Sequence, residues 1–175
     1  GSGKTTVLQN LICAAAMTHS PEQVQFYVLA LSSSALTSVR ELPHVGHVAQ
    51  LIEEDGIRRM VAELIALLER RQRNFVDWGV NSMNEFRARK AALAGKTRQE
   101  AAEDPVSTDG YGDVYLVVDN MFALADPSST FRGKDNLVDQ IVRLIMDGGS
   151  FGIHVIVSAN RPGNIPPGVR TLFDV

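Results

Sequence analysis

The sequence predicts an α/β domain, with a central parallel β-sheet flanked by helices. Three observations carry that prediction. Short, almost wholly apolar runs rich in β-formers occur at 24–31 ("VQFYVLAL"), 113–118 ("DVYLVV") and 153–159 ("IHVIVSA"). Runs without polar alternation are strands covered on both faces. Other segments repeat apolar residues three and four apart, the period of a helix. Helices that alternate with continuous apolar strands build parallel sheets.

A first helix is expected over 4–18, where Val7, Leu8, Leu11, Ile12 and Ala15 recur at helical spacing and "HSPE" stops it. Cys13 is expected on the inner face of that helix, as core. The first strand follows at 24–31. Residues 32–50 read as irregular, punctuated by Pro43 and Gly46. A long helix is expected over 55–77. Ile57, Met60, Val61, Leu64, Leu67, Leu68 and Phe75 form its apolar face, and Glu63, Glu69, Arg70 and Arg73 are charge neighbours. A further helix is expected over 82–93, with Ser82 as N-cap and Glu85 at capping-box spacing. Trp78 closes the long helix as a partly buried anchor. Residues 95–112 are polar and Gly/Pro-punctuated, so an exposed, mobile loop is expected there. After the second strand, residues 134–147 read as helix, ended by Gly148, Gly149 and Gly152.

Composition bounds the function classes. The 175 residues are 45% hydrophobic and 21% charged, the balance of one ordinary globular domain. No apolar run approaches the ~18 residues of a membrane span. One cysteine excludes an internal disulfide, which fits a reducing cytosol. A net charge of −3 argues against whole-surface attraction to nucleic acid. The basic clusters "RRQR" (70–73) and "RARK" (87–90) lack interleaved aromatics, and are expected to form a solvated or module-facing surface rather than a DNA contact. His19, His44, His47 and His154 show no metal-ligand spacing and read as loop residues.

The chemistry-bearing motif is "GSGKTT" at 1–6. Gly3, Lys4 and Thr5 match the last three positions of the phosphate loop G-x-x-x-x-G-K-[ST]. Glycines let backbone N–H groups turn around phosphate oxygens, and the helix that follows points its positive end at the same anion. Gly1, Ser2, Gly3, Lys4, Thr5 and Thr6 are therefore expected to hold the phosphates of a nucleotide. Lys4 reaches the outer phosphates, and Thr5 offers its hydroxyl to Mg²⁺. The strand at 113–118 delivers Asp119, placed to hold the same Mg²⁺. The residue after it is Asn120, not a second acid. The full loop pattern would begin before Gly1. The chain is thus expected to be truncated, lacking the first strand and first loop glycine, with "TLFDV" leading towards another strand.

These motifs sit within "LPHVGHV" (42–48), "LLERRQRNFVDWGVNSMNEFRARKA" (67–91), "DVYLVVDNMFAL" (113–124) and "GGSFGIHVIVSANRPGNIPPGVRTLFD" (148–174). On these blocks the chain resembles the FtsK/SpoIIIE branch of P-loop ATPases, and within it the second or third EccC-type ATPase module of type VII (ESX) secretion. The resemblance implies a RecA-like P-loop NTPase fold over 1–175, ATP and Mg²⁺ as cofactors, and a module in a longer tandem chain. It also implies hexameric assembly with neighbouring modules at a membrane-anchored secretion complex on the cytoplasmic side, and WXG-type secreted substrates. Lys4, Asp119 and Asn160 take the catalytic positions, Asn160 as a sensor for the γ-phosphate or water; an Asx-turn before Arg161-Pro162 is the other reading of Asn160. Ser158 is a weaker sensor candidate.

Two departures matter. Active motors of the family carry Asp-Glu where this chain has Asp119-Asn120, and an amide cannot accept a proton from water. Losing a general base costs ~10²–10⁴ in rate. Near Asn81, active relatives carry an arginine. Three functions follow from the residues and the resemblance together. The first is an ATP·Mg²⁺-binding module with weak or absent hydrolysis. The second is a motor whose acid comes from Asp126 or an adjacent subunit, and the third is a DNA translocase.

Overall fold

The computed structural model describes residues 3–131, 136–160 and 170–171. Helix α1 (Lys4–Thr18) leads into β1 (Val24–Ala30), a 3₁₀ turn at Ser34–Glu41 and β2 (Val45–Gln50). Then come α2 (Glu54–Trp78), α3 (Met83–Ala91), α4 (Arg98–Ala101), a 3₁₀ turn at Pro105–Thr108 and β3 (Asp113–Asp119). Short α5 (Phe122–Ala125), α6 (Leu137–Asp147), a 3₁₀ turn at Gly149–Phe151 and β4 (Ile153–Val157) complete the order.

The four strands form one sheet in the order β2-β1-β3-β4, and all pairs are parallel. Parallel strands alternate their side chains between two covered faces. In β1, Val24, Phe26, Val28 and Ala30 pack with Leu8 and Ile12 of α1 and with Leu36 and Val39. Tyr27 and Leu29 point the other way, into a core shared with α2 and α6. In β3, Val117 joins the α1 side, while Val114, Leu116 and Val118 join the α2/α6 side. Ile156 of β4 packs on the α1 side, Val155 and Val157 on the other. A smaller cluster of Phe75, Val80, Met83, Phe86 and Val106 seals the C-terminal end of α2, with Trp78 partly buried against it.

Local chemistry sets the ends of these elements. Gly79 stops α2 in the left-handed region (φ 65°), where glycine pays no steric cost, and Val80 N–H bonds back to the Phe75 carbonyl at 2.8 Å. Ser82 caps α3 as expected, accepting from Glu85 N–H at 3.1 Å. Glu85 returns its carboxylate to Asn81 N–H (2.9 Å) instead of Ser82 N–H, so the box is one residue wider than its spacing implies.

Several expectations change. Residues 45–50, read as irregular, form β2. The strand is an edge with exposed Gly46 and His47, so it lacks the apolar run of the central strands. β4 is the other edge of the described sheet, and only Ile153 in it is fully buried. Cys13 is exposed; Leu8 and Ile12 hold the inward face of α1, and Val7 and Leu11 also lie open. The stretch 95–112 is folded. Thr97 and Glu100 make a reciprocal capping box, Val106 is buried, and Asp109 is buried against Arg71.

The basic clusters are used internally only in part. Arg71 is fully buried, and Arg87 and Arg89 make bidentate pairs with Asp113 and Asp104. Lys90 donates to the Asp109 carbonyl, while Arg70 and Arg73 stay exposed. Glu69 pairs with Arg143 of α6 at 2.9 Å rather than along its own helix. His44 is buried and donates to the His19 carbonyl at 2.6 Å; His47 and His154 lie in strands, not loops. Residues 134–135 of the expected helix, and the Arg161-Pro162 turn, lie outside the described residues.

Candidate functional site

A parallel sheet presents all its strand C-termini on one rim, which is where such sheets bind ligands. The strand alternation decides what faces α1 there. Tyr115 and Val117 of β3 face the α1 side, and Asp119 is the next residue of that parity. Its carboxylate meets the first turn of α1. The Thr5 hydroxyl donates to Asp119 Oδ2 at 3.2 Å, across 114 residues of sequence. The two residues assigned to Mg²⁺ are thus brought together.

The start of α1 has the form a phosphate needs. Gly3 is its N-cap in the left-handed region (φ 69°), and open space surrounds the position of a Cβ there. No side chain caps the helix, and its first turn holds no acid. Among the described residues no side chain bonds the leading N–H groups, and the positive end of a 15-residue helix faces the rim. Lys4 and Thr5 are partly exposed and Thr6 is exposed on the first turn; Gly1 and Ser2 lie outside the described residues.

Asp119 is 2% exposed. Besides Thr5, the Ser32 hydroxyl donates to Oδ2, and the Ser158 hydroxyl donates to Oδ1 at 2.7 Å. Among the described residues no ammonium or guanidinium pairs with it. A buried carboxylate without a cation is costly unless a counter-charge arrives. A hydroxyl and a carboxylate are hard oxygen donors of the kind Mg²⁺ takes alongside water and phosphate. The residues therefore fit the cation, with Thr5 and Asp119 as the groups that would hold it.

Asn120 turns the chain sharply, with φ 73°, the described non-glycine residue in the left-handed region. Asn tolerates that region better than most residues. Its N–H donates to Ser158 Oγ at 3.0 Å, and its Oδ1 is buried without a hydrogen-bond partner among the described residues. Asn160 is exposed just past β4, while Ser158 touches Asp119 directly. Asp126 is engaged with Ser128, whose N–H donates to Asp126 Oδ1 at 2.8 Å. Asn81 lies at the opposite end of the sheet, in the α2–α3 turn beside Glu85. Sequence reasoning missed Ser32. The signal was present in the parity of β1, since Ser32 continues the series Val24, Phe26, Val28, Ala30.

The comparisons agree with the fold. The model of the FtsK/SpoIIIE family matches residues 1–175. The chain is 50% identical over 173 residues to the ESX-5 secretion system protein EccC5 of Mycobacterium tuberculosis (strain ATCC 25618 / H37Rv), covering 99% of this chain and 11% of that protein. It is 39% identical over 172 residues to the ESX secretion system protein EccC of Thermomonospora curvata, covering 98% of this chain and 12% of that protein. A solved structure of Thermomonospora curvata EccC, ATPases 2 and 3 in complex with a signal sequence peptide, superposes with a TM-score of 0.83 at 38% identity, over 98% of this chain and 28% of that one. The chain thus spans 11–12% of the length of these curated relatives. Matched along its whole length and homologous to EccC ATPase domains of type VII secretion, the chain belongs to the FtsK/SpoIIIE family.

Proposed function

We propose that this chain is an ATP·Mg²⁺-binding module of a type VII secretion motor, one of several in a longer chain, with weak or absent hydrolysis. The observation that carries the reading is the Thr5–Asp119 contact at the open start of α1, followed by an amide at Asn120. Bound there, Mg²⁺ would supply charge to the β- and γ-phosphates. Lys4 and the α1 N–H groups bind the phosphates, and Asp119 and Thr5 orient the metal. Asn120 cannot take the proton of an attacking water. The module uses bound nucleotide to fix its contacts with neighbouring modules in a hexameric assembly. That assembly works at the cytoplasmic face of a membrane secretion complex on WXG-type substrates. Among the described residues no helix is long and apolar enough to cross a membrane.

A full motor with an acid from a neighbour is the second reading, since Asp126 is tied to Ser128. DNA translocation is disfavoured, because Arg71, Arg87 and Arg89 are held by carboxylates of the same domain. The test is nucleotide affinity and turnover of the full chain and its variants. Micromolar or tighter Mg·ATP binding that Asp119→Ala abolishes is expected, with turnover near the uncatalysed rate. Asn120→Glu is expected to raise turnover while lowering stability by about 1–2 kcal/mol, the cost of the left-handed backbone for a larger side chain. A clear wild-type turnover lost in Asp119→Ala would favour the motor reading.

A further inference from the structure

The carboxylate of Asp119 is held from three elements at once. Register explains how. Ala30 of β1 lies opposite Asp119, and Val157 of β4 lies opposite Val118, so the two strands flanking β3 end level with the acid. Leu31 N–H still bonds the Asp119 carbonyl at 3.3 Å, and Ser158 N–H bonds the Val118 carbonyl at 2.9 Å. Both flanking chains therefore stay extended for a residue or more beyond their strands. By the two-residue alternation, Ser32 and Ser158 then project to the α1 side, as Asp119 does. Each reaches the carboxylate, Ser32 at Oδ2 and Ser158 at Oδ1.

The geometry points to Ser32 and Ser158 as positioning residues for Mg²⁺, a hydroxyl bracket that fixes both carboxylate oxygens of Asp119. The inference rests on the nucleotide reading above. Thr5 and Ser32 share Oδ2. The Thr5 oxygen can offer a lone pair to a cation while its O–H still donates to that oxygen. Ser32 and Ser158 keep their bonds and hold the carboxylate plane facing α1. Ser158 has a second task. It accepts from Asn120 N–H, and its carbonyl accepts from Met121 N–H at 3.0 Å, so it also fixes the left-handed turn after the acid. Neither serine contacts the metal; both act through Asp119.

Groups that orient metal ligands set metal affinity by roughly 10–100-fold. The test compares Ser32→Ala, Ser158→Ala and Ser32→Thr with wild type in the full chain. Two quantities are read: the Mg²⁺ concentration that half-restores ATP binding, and Mn²⁺ binding without nucleotide by its paramagnetic signal. Both alanine variants are expected to shift the Mg²⁺ midpoint up about tenfold. ATP affinity in chelator is expected to change less than twofold, and Ser32→Thr to recover the wild-type midpoint. Equal losses with and without Mg²⁺ would mark a folding role and overturn the bracket. Unaltered midpoints in both alanine variants would overturn it while leaving the nucleotide reading intact. A wild-type chain that holds neither Mg·ATP nor Mn²⁺ would sink the nucleotide reading and the bracket with it.

Discussion

Replacing Arg71 with alanine removes a buried charge that ties three parts of the chain together. Arg71 donates twice to Asp109, at 2.8 and 3.1 Å. It also donates to the carbonyls of Phe151 (2.8 Å), Tyr111 (3.0 Å) and Gly112 (2.9 Å), and lies 4.8 Å above the ring of Phe86. In Arg71→Ala, Asp109 keeps a bond from Tyr111 N–H but becomes a buried carboxylate without its guanidinium, with Lys90, bonded to the Asp109 backbone carbonyl, as the nearby cation among the described residues. Breaking a buried pair by removing one partner costs about 3–5 kcal/mol. Water entering the vacated space reaches the three carbonyls, so about 4 kcal/mol is the expected loss. With an unfolding slope of about 2 kcal/mol per M urea, the midpoint falls by about 2 M. The readout is the fluorescence of Trp78, which packs on the neighbouring cluster. The combination of Arg71→Met with Asp109→Asn should cost clearly less than the two single changes summed, because no orphan charge remains. A loss below about 1 kcal/mol in Arg71→Ala, or strict additivity in the pair, would refute the reasoning. The site feels the change too, since Gly112 and Phe151 precede β3 and β4, the strands that carry Asp119 and Ser158.

Asp113 gives a pH prediction. Burial pushes its carboxyl up, but the bidentate Arg87 and the His154 ring more than offset this and hold it well below the usual carboxylate range. Its folded value is depressed, so its stabilisation is present above the unfolded value of about 3.9 and is lost as pH falls below that. Asp113→Asn should therefore flatten the decline of wild-type stability in acid below about pH 4; matching acid slopes for the two proteins would count against it. Gly112→Ala places a Cβ against the backbone carbonyls of Gln23 and Glu22, which cannot rotate away. A loss of about 2 kcal/mol is expected by thermal melting, and a melt within error of wild type would show that the strand entrance can yield.

The fold class was legible because the central strands are buried on both faces and must read as apolar runs, as "YLVV" before Asp119 does. The edge strand β2 was not legible. Two of its six residues are exposed and only two are buried, and its pairing with β1 is a tertiary fact. Polar segments misled for a related reason. Sequence treats charges as solvation, whereas Arg71, Arg89, Asp104 and Asp109 solvate one another and so fold the stretch 95–112.

By itself the sequence determined which chemistry is available: a glycine–lysine–threonine turn opening a helix, a strand ending in Asp119, and an amide where an acid would follow. Those are local properties of residue type and period. Only the tertiary structure decided that Thr5 meets Asp119 across 114 residues, and that Ser32 and Ser158 bracket the same carboxylate. The physical reason is register. A parallel sheet levels strand ends that are far apart in sequence, and its two-residue alternation sends all three side chains to the α1 face.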